Sequence, residues 1–275
     1  MRRSVKVLGA GLLILAAATS LIWYADVRED HRGMLVVSFL DVGAGDAVFI
    51  QAPSGRQVLV DGGSDDSILR QLGTVMPFYD RSLDAVVATA PLVDKVGGLT
   101  NVLSRYTIAT IVRSAARSGA PQVQAFDGAL TSAEARGTRL LVAQRGQLID
   151  LDSGTYMEIF FPDRDASNMA PSDGCLVMRL VYGRTSFFFS CGPPALESYL
   201  ATLDGTKLKS DVLLATGRDP ELFVGFVSPQ FAVVPQSCNI EATSSVFSEL
   251  GVQTLDTCDG SVTFVSDGQT VSTST

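Results

Sequence analysis

The chain has 275 residues, 46% of them hydrophobic, and a formal net charge of −8. That is enough apolar material for a real core in one large or two small domains. Residues 1–33 hold five Lys/Arg and three Asp/Glu, so the remainder carries −10, the opposite sign from most nucleic-acid binders, and no run of Lys or Arg marks a basic groove.

The first element expected is an anchor. Arg2, Arg3 and Lys6 precede an uncharged apolar run of 18 residues, Val7 to Tyr24, the lower limit for a helix that crosses a bilayer. Trp23 and Tyr24 stand where interfacial aromatics belong, and the basic end should stay in the cytoplasm. The alternative is a cleaved signal peptide with Ala16-Ala17-Ala18 as its small-residue site. In both readings the rest of the chain is exported: a single-pass protein of the cell membrane if the segment is kept, a secreted one if it is cleaved. Asp26 to Gly33 reads as a short charged stalk that holds the only histidine, His31.

Leu35 to Leu40 reads as a strand that runs into the turn Asp41-Val42-Gly43-Ala44-Gly45-Asp46-Ala47, with Asp46 as a turn or cap residue. Gly43 and Gly45 do not make a dinucleotide fingerprint, which needs a third glycine and a following helix; strand Val48–Gln51 follows instead. Next come a turn at Pro53–Arg56, strand Val58–Val60, the loop Asp61-Gly62-Gly63, and a helix from Ser67 to Gly73 capped by Ser64 or Asp65. Strand and helix then alternate: strand Ala85–Ala88, helix Gly98–Arg105, strand Ala109–Val112, helix Pro121–Arg136, then strands Arg139–Val142 and Tyr156–Phe161. After a polar loop the pattern gives a hairpin over 175–190, helix Pro194–Leu203, strand Asp211–Ala215 and helix Glu221–Val227. Strand Phe231–Val234, helix Glu241–Leu250 and strands Val252–Leu255 and Val262–Val265 complete it. The Phe187-Phe188-Phe189 run reads as buried strand, and residues 268–275 as a flexible Ser/Thr tail. The boundaries are therefore 1–33 for the basic end, anchor and stalk, 34–267 for one domain, and 268–275 for the tail.

Cys175, Cys191, Cys238 and Cys258 contain no C-x-x-C spacing, which argues against a zinc ribbon. Outside the cytoplasm an even count points to disulfides. A hairpin centred on Gly183 sets Cys175 opposite Cys191, which leaves Cys238 for Cys258 at the ends of two strands joined by a helical crossover.

Several segments, in order, resemble one family. Ser38-Phe39-Leu40-Asp41-Val42-Gly43-Ala44-Gly45-Asp46-Ala47, Gln57-Val58-Leu59-Val60-Asp61-Gly62-Gly63 and Val86-Val87-Ala88-Thr89-Ala90-Pro91-Leu92-Val93-Asp94-Lys95-Val96-Gly97-Gly98-Leu99 are similar to motifs of the ComEC/Rec2-related metallo-β-lactamase-like domains. So are Leu180-Val181-Tyr182-Gly183 with Phe187-Phe188-Phe189-Ser190, Lys209-Ser210-Asp211-Val212-Leu213 and Val227-Ser228-Pro229-Gln230-Phe231-Ala232-Val233. The resemblance implies an αββα four-layer sandwich, here preceded by one transmembrane or signal-anchor helix. It also implies hydrolysis assisted by two zinc or manganese ions.

The chain departs from that pattern at the ligands. Ala90 stands at the first histidine position of the motif, Leu92 at the next ligand position and Lys95 at the last histidine, while Asp94 keeps the acid. Ser190-Cys191-Gly192-Pro193 lacks the bridging carboxylate, and Ala215-Thr216-Gly217-Arg218 replaces a pair of histidines. The expected site is thus a vestigial pocket of Asp61, Ala90, Leu92, Asp94, Lys95, Cys191 and Arg218, with no metal and no cofactor. Lys95 is expected to neutralise Asp94, and Arg218 to face the cavity. A Ser-His-Asp arrangement is impossible without a histidine in the domain. The function implied is a membrane-anchored extracytoplasmic protein with a non-catalytic binding or structural role. Its partners would be the membrane through residues 7–24 and an unidentified protein, within an envelope or DNA-uptake complex; the acidic charge of the domain argues against nucleic acid, which the family resemblance still admits. The alternative is a divergent hydrolase working through Asp61, Asp94, Lys95 and Arg218.

Overall fold

A computed structural model describes residues 33–215, 218–235 and 244–274. The expected anchor (7–24), His31 and Cys238 lie outside the described residues. Among those that are described, no helix is long and apolar enough to cross a membrane.

The first half of the domain contains strands β1 (Leu35–Phe39), β2 (Val48–Gln51), β3 (Gln57–Val60), β4 (Ser82–Ala88), β5 (Thr107–Arg113) and β6 (Arg139–Val142). Helices α1 (Ser67–Val75), α2 (Val93–Val96), α3 (Leu99–Arg105) and α4 (Pro121–Ala135) lie between them. The second half holds β7 (Leu148–Asp150), β8 (Thr155–Phe161), β9 (Val177–Tyr182), β10 (Thr185–Phe189), β11 (Val212–Leu214), β12 (Phe231–Val234) and β13 (Gln253–Asp256). Helices α5 (Pro194–Asp204), α6 (Glu221–Val227) and α7 (Ser244–Glu249) belong to it, and β14 (Val262–Ser266) and β15 (Val271–Ser274) close the chain.

One sheet has the order β15-β14-β1-β2-β3-β4-β5-β6, the other β13-β12-β11-β10-β9-β8-β7. In chain order each sheet is antiparallel first and parallel later: in the first sheet parallel pairing starts at β3–β4, and in the second, antiparallel over β7 to β10, it starts at β10–β11. Parallel pairing needs crossovers, and the helices supply them.

Strand alternation sorts side chains into three apolar layers. Leu35, Val37 and Phe39 of β1 meet Phe187 and Phe189 of β10 in a core between the sheets. Phe39 sits between Phe189, at 6.5 Å, and Phe264, edge-on at 5.8 Å. The opposite faces point outward into helices: Leu59 and Val86 pack with Leu72, Val102 and Phe126, and Phe188 and Leu213 with Leu200, Phe223 and Phe247. The result is helix, sheet, sheet, helix, the expected αββα layering. Both faces of each sheet are covered, so the central strands read as continuous apolar runs.

Two elements differ from expectation. Residues 271–274 are not a loose tail: β15 pairs in antiparallel register with β14 from Thr263↔Ser274 to Ser266↔Val271. The hairpin turns on two residues, Gly183 and Arg184, because Thr185 pairs with Tyr182 and Phe189 with Met178. Continued to its end, that register sets Cys191 opposite Leu176, yet Cys175 and Cys191 are bonded, with Cα atoms 6.2 Å apart, because both lie beyond the paired strands. Cys258 is also disulfide-bonded.

Candidate functional site

Three loops meet where β1, β3 and β4 end. They are held backbone to backbone. Gly63 N–H donates to the Asp46 carbonyl (2.9 Å), Ser64 N–H to Ala44 (2.8 Å), Asp46 N–H to Asp94 (3.2 Å) and Gly62 N–H to Lys95 (2.8 Å). Such close approach needs residues without side chains. Gly45 has φ +106°, and a Cβ there would run into the Asp94 carbonyl; a Cβ on Gly98 would run into the Gly62 carbonyl.

Asp61 lies at the centre, 2% exposed and in the left-handed region at φ 56°. Thr89 clamps its carboxyl, donating from N–H at 2.8 Å and from the hydroxyl at 2.6 Å. Burial pushes the Asp61 carboxyl up to about 8; the Thr89 bonds oppose this, and the charge of Asp94 adds to it. Thr89 in turn accepts a bond from Leu176 N–H at 2.8 Å, next to the Cys175–Cys191 bridge. Asp61 is therefore tied through Thr89 to the second sheet.

Lys95 is 7% exposed, and burial pushes its ammonium down to about 8. Its partner is not Asp94 as expected. Lys95 Nζ pairs with the Asp46 carboxylate, whereas Asp94 is exposed. Adjacent residues of a helical turn point about 100° apart and do not face each other. Ala90 is buried in the apolar layer outside the second sheet, with Leu92 packed against its edge. Arg218 is exposed rather than turned into a cavity. Of the expected residues, the structure thus gathers Asp61, Lys95 and the backbone of Asp94, and leaves Arg218 outside.

Sequence reasoning missed Asp46 as an ion-pair partner, and Thr89, Ser190 and Glu197. Glu197 is fully buried on α5 and accepts the Ser190 hydroxyl at 2.5 Å. A signal for it existed. Glu197 and Asp204 share the buried stripe of α5 with Leu200 and Ala201, and an acid on an apolar stripe implies a buried partner.

The donor set does not suit a pair of metal ions. Both Asp61 oxygens are taken by Thr89, Asp46 by a lysine, and no imidazole stands among the described residues, where no group of three or more His, Cys, Asp or Glu is placed to hold an ion.

No protein-family model and no curated protein matches the sequence. Solved structures do. The metallo-beta-lactamase fold protein YhfI from Bacillus subtilis aligns over 85% of this chain and 99% of its own, with TM-score 0.56 at 13% identity. A metallo hydrolase from the hyperthermophilic archaeon Ignicoccus hospitalis aligns over 84% and 98%, with TM-score 0.55 at 13% identity. A metal-dependent hydrolase of the beta-lactamase superfamily aligns over 82% and 97%, with TM-score 0.52 at 11% identity. With its two sheets, its outer helices and these likenesses, the domain has the metallo-β-lactamase fold.

Proposed function

We propose that this chain is an exported, membrane-anchored protein of the metallo-β-lactamase fold whose pocket serves structure rather than metal chemistry. It acts as a non-catalytic binding or structural subunit of an envelope assembly. The observation that carries this reading is the ion pair of the buried Lys95 with the half-buried Asp46. Lys95 stands at a position the motif reserves for a metal ligand, and an ammonium there supplies the positive charge that leftover carboxylates need. The disulfides support export. Kinship with the ComEC/Rec2-related domains rests on the sequence segments alone, and on that basis the assembly is one connected with DNA uptake.

The test is metal analysis and a phosphodiesterase assay on the purified full chain, with and without EDTA. The expected result is no stoichiometric zinc or manganese and no turnover. Tightly bound stoichiometric metal with EDTA-sensitive turnover overturns the reading.

One observation favours the rival hydrolase. Asp61 and Lys95 both sit near 8, the range in which acid–base groups work. Turnover that survives EDTA and disappears in an Asp61→Asn variant supports it. Against it, Asp61 is sealed from solvent and Arg218 lies outside the cluster.

A further inference from the structure

The end of the domain opposite the pocket carries an apolar knob that no function above uses. Between α1 and β4 the chain makes a turn in which Asp80 N–H donates to the Pro77 carbonyl at 2.9 Å. Phe78 and Tyr79 occupy its two central positions and are 85% and 73% exposed. Those positions normally hold Gly, Asn, Asp or Ser. The two rings meet edge-on at 5.4 Å, so they present one surface.

The knob has a firm base. Asp80 accepts bonds from Ser82 N–H (3.0 Å), the Ser82 hydroxyl (2.6 Å) and Gln57 Nε2 (3.2 Å). Arg81 donates to the Tyr106 hydroxyl at 2.8 Å with its guanidinium 5.3 Å from the Tyr106 ring centre. Met76 is buried just before the turn. Two large apolar side chains are thus held out in water by a rigid support. Scattered single exposures are ordinary, but an adjacent pair on a fixed turn marks a contact.

Its place says what it contacts. Gln57, which holds Asp80, directly follows the β2–β3 turn, and that turn receives the chain as it enters the domain: Gly33 N–H donates to the Pro53 carbonyl at 3.2 Å. The knob and the entry point share one end. The 18-residue uncharged run closes at Tyr24, and the eight residues between it and Gly33 span at most about 30 Å. Tyr, with its polar tip, is an interfacial aromatic, and Phe supplies the apolar ring that enters the acyl boundary. Arg81 beside them can meet lipid phosphate.

We infer that the Phe78–Tyr79 turn is a lipid-contact element that seats this end of the domain in the interface of the bilayer. This rests on the anchored reading, and one design separates the two. The chain has a single tryptophan, Trp23. The full chain is placed in phosphatidylcholine–phosphatidylglycerol vesicles whose acyl chains carry bromine, a short-range quencher, near the headgroup or deep in the tail. In the unaltered chain, loss of Trp23 emission reports the anchor. In a Trp23→Phe, Phe78→Trp chain the only indole is at the turn; the substituted ring is solvent-facing, and circular dichroism checks the fold. The expected result is blue-shifted emission with strong loss to shallow bromine and weaker loss to deep bromine. Trp23 quenched while the turn indole is not overturns the lipid-contact role alone. A turn indole that is blue-shifted yet unquenched is covered by protein, a second copy or a partner, and overturns it too. Trp23 unquenched overturns the anchored reading, and the lipid role falls with it.

Discussion

Asp61 holds its carboxyl where a charge is poorly solvated, and that fixes a direction of pH dependence. The group is protonated up to about pH 8 in the folded chain but only up to its ordinary 3.8 when unfolded. Between those values the folded state binds the extra proton, so stability falls as pH rises from about 4 to about 8. Thermal unfolding across pH should therefore show stability falling from about pH 4 to about pH 8, and Asp61→Asn should flatten that fall. Asn keeps the acceptor for Thr89 N–H and tolerates positive φ, so its cost at neutral pH should stay within about 1 kcal/mol. Asp61→Ala orphans two buried donors in a left-handed position and should cost about 2–4 kcal/mol. Lys95→Met strands the Asp46 carboxylate and should cost about 2–4 kcal/mol in urea unfolding, with Asp46→Asn added to it recovering a good part. An unchanged midpoint for Lys95→Met would show that the pair carries no structural load. The sequence offered Lys95 but not its partner: local spacing suggests Asp94, whereas Asp46 arrives only when the loop after β1 folds over α2.

Among elements, the loops around Asp61 are more demanding than the helices beside them. Gly45→Ala and Gly98→Ala each force a Cβ into a carbonyl oxygen. Either should cost more than about 3 kcal/mol or abolish folding, since the opposing atom is backbone and cannot swing aside. Gly128, exposed in the middle of α4, has nothing near a Cβ. Gly128→Ala should raise stability by about 0.5–1 kcal/mol through helix propensity. Soluble yield and urea midpoints of the three variants decide it; a harmless Gly45→Ala would mean that the loops are not locked. Apolar segments were legible from sequence: Glu221–Val227 and Phe231–Val234 fall on α6 and β12 as read. What escaped was short or polar. β7 has three residues and no apolar alternation, and α2 is a single turn. β15 is Val-Ser-Thr-Ser, a composition that reads as tail until β14 supplies its ladder.

Taken whole, the described domain is two sheets fastened at both ends of their shared core. At the pocket end Leu176 bonds to Thr89 beside the Cys175–Cys191 bridge. At the other end the β9–β10 turn sits against the β14–β15 turn: Arg184 N–H donates to the Gly268 carbonyl at 2.7 Å, and the Thr185 and Ser266 hydroxyls bond at 2.7 Å. The sequence foresaw the bridge because a hairpin brings the residues just beyond its two strand ends close together, although the register is one residue off the expected one; it could not foresee the second fastening, which joins turns more than 80 residues apart. The bridge closes a loop of 16 residues, for which the entropic model gives about 3 kcal/mol. Cys175→Ala with Cys191→Ala should lower the unfolding free energy by that order. Ending the chain after Asp267 tests the other fastening. It removes the β14–β15 ladder and the contact of Val271 with the core edge, and strips the Gly268 carbonyl from Arg184. The expected loss is about 2–3 kcal/mol. It should be accompanied by faster amide exchange in β14 and in the 182–185 turn, which ordinary end-fraying would leave untouched. Truncation that changes neither the melting temperature nor exchange in that turn would show that β15 is only a passive edge. An effect confined to β14 would show that the two turns do not hold the sheets together.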